Sequence, residues 1–145
     1  MGTRAVFYQP FAEALVERGF DVLVPEIPGT GESRPRPSRR YDYGYRELVA
    51  IYLPALVVEA GKSAAGRPVI LMGHSLGAHI GTMAVKSGHV DVQALVTLAG
   101  GNIHYRNWSG VGAFKVRFAG VLFPLLTRLF GYLPGQHVGF GGPQA

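Results

Sequence analysis

The chain has no cysteine, so neither a disulfide framework nor a thiolate metal site is open to it. Charge is sparse: 16% of the 145 residues are charged against 48% hydrophobic, a balance that excludes the disordered class. The opening Met-Gly-Thr-Arg-Ala-Val-Phe-Tyr has no apolar core of a secretory leader. Val6 also stands where a myristoylation context needs Ser or Thr. With the missing cysteines, these features set a cytoplasmic expectation. The five histidines are scattered, with no His-x-x-x-His and no carboxylate pair at ligand spacing. Gly29-Thr-Gly31 lacks the third glycine of a dinucleotide fingerprint, and there is no phosphate loop. No metal and no cofactor are therefore expected.

The net charge of +5 comes from 14 basic and 9 acidic residues. Much of it lies in one stretch, where Arg34, Arg36, Arg39 and Arg40 alternate with Pro35, Pro37 and Ser38. Without a nucleic-acid motif beside it, this reads as a solvated loop, and no nucleic-acid partner is expected.

The length suits one domain with a single core. The 21 glycines and 10 prolines punctuate apolar runs rather than forming a repeat. Phe7, Phe11 and Leu15 recur at helical spacing before Gly19, which predicts an amphipathic helix with a glycine C-cap. Asp21–Pro25 reads as a short buried strand, running into a tight loop with Pro28, Gly29 and Gly31. A second helical pattern starts at Tyr45, with a break expected at Pro54 and an end at Gly61. Arg67–Met72 is an almost unbroken apolar run, the pattern of a strand covered on both faces. A helix from Ala78 to Lys86, a strand from Val92 to Ala99 and helical spacing from Phe118 to Phe130 follow. The alternation predicts an α/β class with a mainly parallel sheet and flanking helices.

Gly73-His74-Ser75-Leu76-Gly77 joins the Arg67–Met72 strand directly to the next helix. Gly-x-Ser-x-Gly alone is weak; placed between a strand and a helix it is specific. A serine at such a turn sits in a strained conformation above the C-terminal sheet edge, where open α/β folds bind ligands. Gly73 and Gly77 are expected to remove side chains that would collide with neighbouring backbone. The helix start offers free N–H groups to a developing oxyanion, the Leu76 N–H first among them. The competing reading is a glycine-rich turn carrying an inert serine.

The elbow resembles that of α/β-hydrolases of the esterase/lipase type, close to a bacterial group of predicted serine hydrolases, and the likeness runs along essentially the whole chain. Glu26-Ile-Pro-Gly-Thr-Gly-Glu-Ser33 is similar to the Asp-x-Pro/Arg-Gly-x-Gly-x-Ser loop of that family, with Glu26 in place of Asp. Tyr43-Gly-Tyr-Arg-Glu-Leu48 and Leu126-Thr-Arg-Leu-Phe-Gly-Tyr-Leu-Pro-Gly135 resemble its helix B entry and cap signature. The resemblance implies a partial α/β-hydrolase fold from helix A to strand six. Residues 1–110 would form the central part of the core, and 111–145 a cap-like helical segment with a glycine-rich tail.

The family order of nucleophile, acid and histidine implies later strands, and no triad acid or histidine is identified here. Asp21 and Asp91 precede strands at the wrong sheet end, and Glu26 matches a structural loop position. His74 belongs to the elbow, His79 to the next helix and His89 to a turn; His104 and His137 are poor candidates. Met1-Gly2-Thr3 aligns with the loop that carries the family's second oxyanion N–H. The expectation is a fragment truncated at both ends, with Met1 an internal methionine and the Asp21–Pro25 strand left without its partner.

Phe114–Leu133 is apolar but interrupted by Lys115, Arg117 and Arg128, with Pro124 near its middle. Its uninterrupted run is shorter than the about 20 residues of a membrane span. A cap lining an apolar acyl pocket is the first reading, ahead of a core helix and of an interfacial membrane helix. The sequence thus predicts a serine hydrolase cleaving a small-molecule ester with an apolar acyl group through an acyl-enzyme on Ser75. The alternative is a non-catalytic hydrolase-like fragment or binding protein.

Overall fold

The computed structural model describes residues 3–35, 38–41, 43–101 and 104–131. The glycine-rich tail, Arg36, Pro37, His137, Met1 and Gly2 lie outside them. The chain divides into two units, the first drawn from residues 1–34 and 43–100 and the second from 35–42 and 101–145.

In the first unit a 3-10 turn, Ala5–Tyr8, leads into α1, Gln9–Val16. Pro10 sits in the first turn of α1, where the missing N–H costs nothing. Gly19, at φ 86°, ends the element as the sequence predicts.

Asp21–Pro25 is not a strand. Its residues run without ladder partners, and Leu23 is 53% exposed. A strand needs a neighbour to satisfy its backbone, and the described residues offer none beside it. Asp21 is tied instead by an ion pair to Arg67.

The second helical run is continuous through Pro54. Tyr45–Glu47 (α2) passes into a π-helical stretch, Leu48–Tyr52, and then into α3, Leu53–Ala64. In a regular helix the Pro54 ring would meet the carbonyl four residues back. The π turn widens the backbone there, so that the Leu53 N–H reaches the Leu48 carbonyl, five residues back. The break expected at Pro54 is therefore a bulge, and Pro54 occupies the first turn of the segment that follows it, as its missing N–H leads one to expect. Gly61 does not close the helix either: the end comes at Ala65, in the left-handed region at φ 50°, followed by Gly66 at φ 85°.

The sheet has two parallel strands, β1 (Ile70–His74) and β2 (Ala94–Leu98), in register from Ile70 opposite Ala94 to His74 opposite Leu98. Between them runs α4, Leu76–Lys86, which packs on both strands and on the π turn. A Cβ on Gly81 would come within 3.1 Å of Leu95 Cδ1, so this glycine lets helix and sheet approach closely. The core is small: Leu48, Val49, Ile80, Ala84 and Val90, with Ile27, Tyr52, Val57 and Leu71 packed around it. On the other face of the sheet Ile70, Met72 and Leu98 are each at least 40% exposed. The architecture is a partial α/β fold with a parallel sheet.

In the second unit a 3-10 turn, Tyr105–Asn107, precedes α5, Gly110–Phe130. Arg39 was expected to be merely solvated. Instead its Nε donates to the Phe130 carbonyl at 3.0 Å and its Nη2 to the Leu129 carbonyl at 3.1 Å. A cation there satisfies two orphan carbonyls at the negative end of the helix.

Candidate active site

β1 ends at His74 and α4 begins at Leu76, so Ser75 alone makes the turn between them. Its backbone sits at φ 53°, ψ −112°, a region that a residue with a side chain enters only under constraint. The constraint is visible on both sides. The Ser75 N–H is held by the Leu98 carbonyl at 2.9 Å, and its carbonyl receives the Ala78 N–H at 3.1 Å.

Gly73 makes the sharp turn possible. A Cβ at that position would lie 2.5 Å from the Gly77 carbonyl carbon and 2.6 Å from the Ala78 nitrogen, with the Gly77 oxygen nearer still. Gly77 is different: a Cβ there meets nothing within 4 Å among the described residues. The steric reason expected for both glycines holds for Gly73 alone.

The turn presents Ser75 to solvent, with no hydrogen bond to its Oγ from any described residue. Leu76 and Gly77 are the first two residues of α4, whose N–H groups have no carbonyl a turn behind them, and the Ser75 side chain does not cap them. They stand as donors at the positive end of the helix, beside the serine.

The neighbouring strand adds a second strained position. Ala99, directly after β2, has φ 50°, and a Cβ on the following Gly100 would come within 2.9 Å of Ala78 Cβ. The exit of β2 is thus pressed against the first turn of α4. Only the Ala-Gly-Gly run hinted at this in the sequence.

Two contacts have no local sequence signal. Tyr8 Oη lies 2.8 Å from His74 Nδ1, with the rings edge to face at 5.9 Å. The Glu26 carboxylate accepts the Ala5 N–H at 3.1 Å and the Thr30 hydroxyl at 2.9 Å. A Cβ on Gly31 would lie 2.7 Å from Glu26 Oε2, with Oε1 closer, so Gly31, at φ 50°, makes room for the carboxylate. Glu26 therefore ties the N-terminal segment to the loop Ile27–Ser33, and the longer side chain reaches where an Asp would fall short.

The model of the alpha/beta hydrolase family matches residues 2–144. The chain belongs to the alpha/beta hydrolase family. No curated protein and no solved structure matches it. Within the hydrolase frame the strand–Ser75–helix junction occupies the C-terminal edge of the parallel sheet, where α/β folds place their ligands.

Within the first unit of this hydrolase-family chain, no described histidine hydrogen-bonds to the Ser75 hydroxyl. His74 is engaged by Tyr8, and His79 lies a turn into α4. His104 Nδ1 accepts the Arg106 N–H at 3.3 Å. No cluster of three His, Asp or Glu side chains able to hold a metal ion occurs among the described residues.

Proposed function

We propose that this chain carries the nucleophile of a serine hydrolase, with Ser75 cleaving a carboxylic ester through an acyl-enzyme and the Leu76 N–H as an oxyanion donor. The observation that supports it most is the backbone of Ser75 at φ 53°, ψ −112°, held between β1 and α4 with its hydroxyl exposed. Strain of this kind costs about 1–3 kcal/mol, and a solvent-exposed serine has no packing reason to bear it. Gly73 and His74 shape the strand side of the elbow and Gly77 the helix side.

In the proposed reaction Ser75 Oγ bonds to the ester carbonyl carbon while its proton passes to a general base. The carbonyl oxygen becomes an oxyanion facing the start of α4. The carbon–alkoxide bond then breaks, and the alkoxide leaves with the proton. Water repeats the attack on the acyl-serine and releases the acid. Small esters with apolar acyl groups are the proposed substrates.

A second reading has its own support: no described residue donates to or accepts from Ser75 Oγ, so no described group takes the part of the base. On that reading the chain is a non-catalytic, hydrolase-like protein that binds a small apolar ligand. Labelling of the purified chain with a fluorophosphonate probe separates the two, with Ser75→Ala as control. Labelling confined to Ser75 supports the hydrolase. A folded chain that takes no label supports the binding protein.

A further inference from the structure

In the second unit α5 turns its most apolar stripe outwards. At about 100° per residue, Val111, Phe114, Phe118, Val121, Leu125 and Leu129 fall within one sector of about 80°. All six are at least 50% exposed. The half-covered positions run from Leu122, next to the stripe, round to the other side of the helix; Leu122, Phe123 and Leu126 are large, while Gly112, Ala113, Val116, Ala119 and Thr127 are smaller. A core helix has the reverse arrangement, with its largest apolar side chains inward.

Charge says what covers the stripe. Arg117 and Arg128 border it on one side and Lys115 on the other, each within about 40° of its edge. No Asp or Glu occurs after Asp91, so the 101–145 segment that carries those cations has no acidic side chain of its own. Trp108, 53% exposed, stands just before the helix, and Arg117 lies over the Tyr105 ring at 5.8 Å. An apolar stripe edged by long cationic side chains, with an amphipathic aromatic at one end, matches an acyl-chain surface beneath anionic headgroups.

We propose that α5 lies in the plane of an anionic lipid surface, with the Phe114–Leu129 stripe in the acyl boundary and Lys115, Arg117 and Arg128 at the headgroups. Although its uninterrupted apolar run is short, the whole 21-residue helix is long and apolar enough, by length and composition alone, to cross a membrane. Crossing would place Lys115 and Arg117 inside the hydrocarbon, whereas lying flat leaves all three cations in water. The proposal is independent of the chemistry at Ser75.

The test uses the full chain as its Ser75→Ala variant, so that esterase activity plays no part. Co-sedimentation is measured with phosphatidylcholine vesicles and with vesicles containing 30% phosphatidylserine, and circular dichroism follows the folding of each variant. Binding should require phosphatidylserine, fall with salt and be lost in Leu125→Asp. Each cation removed should weaken it roughly fivefold, or about thirtyfold for Lys115→Gln with Arg117→Gln. Alkaline carbonate should release the bound chain. Equal binding to both vesicles, carbonate-resistant insertion, or no binding by the folded chain would each overturn the proposal. In the last case size-exclusion chromatography shows whether a second copy covers the stripe instead.

Discussion

Replacing the two elbow glycines by alanine should give opposite results. A methyl group on Gly73 would sit 2.5 Å from the Gly77 carbonyl carbon and 2.6 Å from the Ala78 nitrogen. Contact distance for such atoms is about 3.5 Å, so something must move by roughly 1 Å. The obstacles are backbone atoms in the first turn of α4, and α4 is held on its far side by both strands and the π turn. Overpacking of this kind costs about 1–3 kcal/mol, and a rigid obstacle places Gly73→Ala at the upper end. For a chain of this size that lowers Tm by roughly 6–12 °C. A methyl on Gly77 meets nothing within 4 Å among the described residues, and the position is helical. Alanine there removes a glycine from a helix and should raise stability by up to about 1 kcal/mol. Thermal unfolding followed by circular dichroism measures both, and fluorophosphonate labelling reports whether the elbow keeps its shape. The reasoning fails if Gly77→Ala is as damaging as Gly73→Ala, or if Gly73→Ala unfolds within 2 °C of the parent, a margin of about 1 kcal/mol.

Ser75→Gly should raise stability by about 1 kcal/mol while abolishing labelling, because glycine adopts φ 53° without strain and the lost hydroxyl has no described partner. Ser75→Ala keeps the strained backbone, so denaturant unfolding should rank it below the glycine variant. Glu26→Ala should cost about 1–3 kcal/mol by freeing the Ala5 N–H and Thr30 hydroxyl. Gly31→Ala should be milder on that background than on the parent, since the carboxylate it displaces is gone; a double-mutant cycle with additive costs would contradict this. The Gly44 backbone N–H, hydrogen-bonded at 2.7 Å, is the main cause holding the Glu47 carboxyl below its usual value of 4.5, with Arg46 assisting. A folded pKa below the unfolded one gives stability that is complete above 4.5 and is lost as pH falls through the folded value. Urea titrations between pH 6 and pH 3 should show that loss, and Glu47→Gln should remove it.

What could be read from the sequence is set by how far apart the interacting residues lie. The elbow was legible because its constraint is local: the atoms that exclude a side chain from Gly73 belong to Gly77 and Ala78. Apolar spacing likewise located α1, α4 and α5, and the two apolar runs around the elbow became the two strands. Val22, Leu23 and Val24 have the same strand-like composition, yet composition cannot supply the neighbour whose carbonyls a strand requires, and no ladder forms there. Pro54 lies between the two cases. Its ring dictates that a regular helix is impossible, but whether the chain breaks or bulges depends on the return for continuing. Continuing puts Leu48 and Val49 into the core beside Ile80 and Ala84, and burying them outweighs one irregular turn. Glu26 was legible only as a departure from the family loop, because its partner, the Ala5 N–H, is 21 residues away. The motif also named two glycines as equals when only one is enclosed. Whether the space beside Gly77 is empty depends on what packs over the start of α4, and a five-residue pattern contains no information about that. Gly77→Ala is therefore a direct probe of the surroundings of the elbow: a stabilised variant reports open space, and a destabilised one reports a neighbour pressed against it.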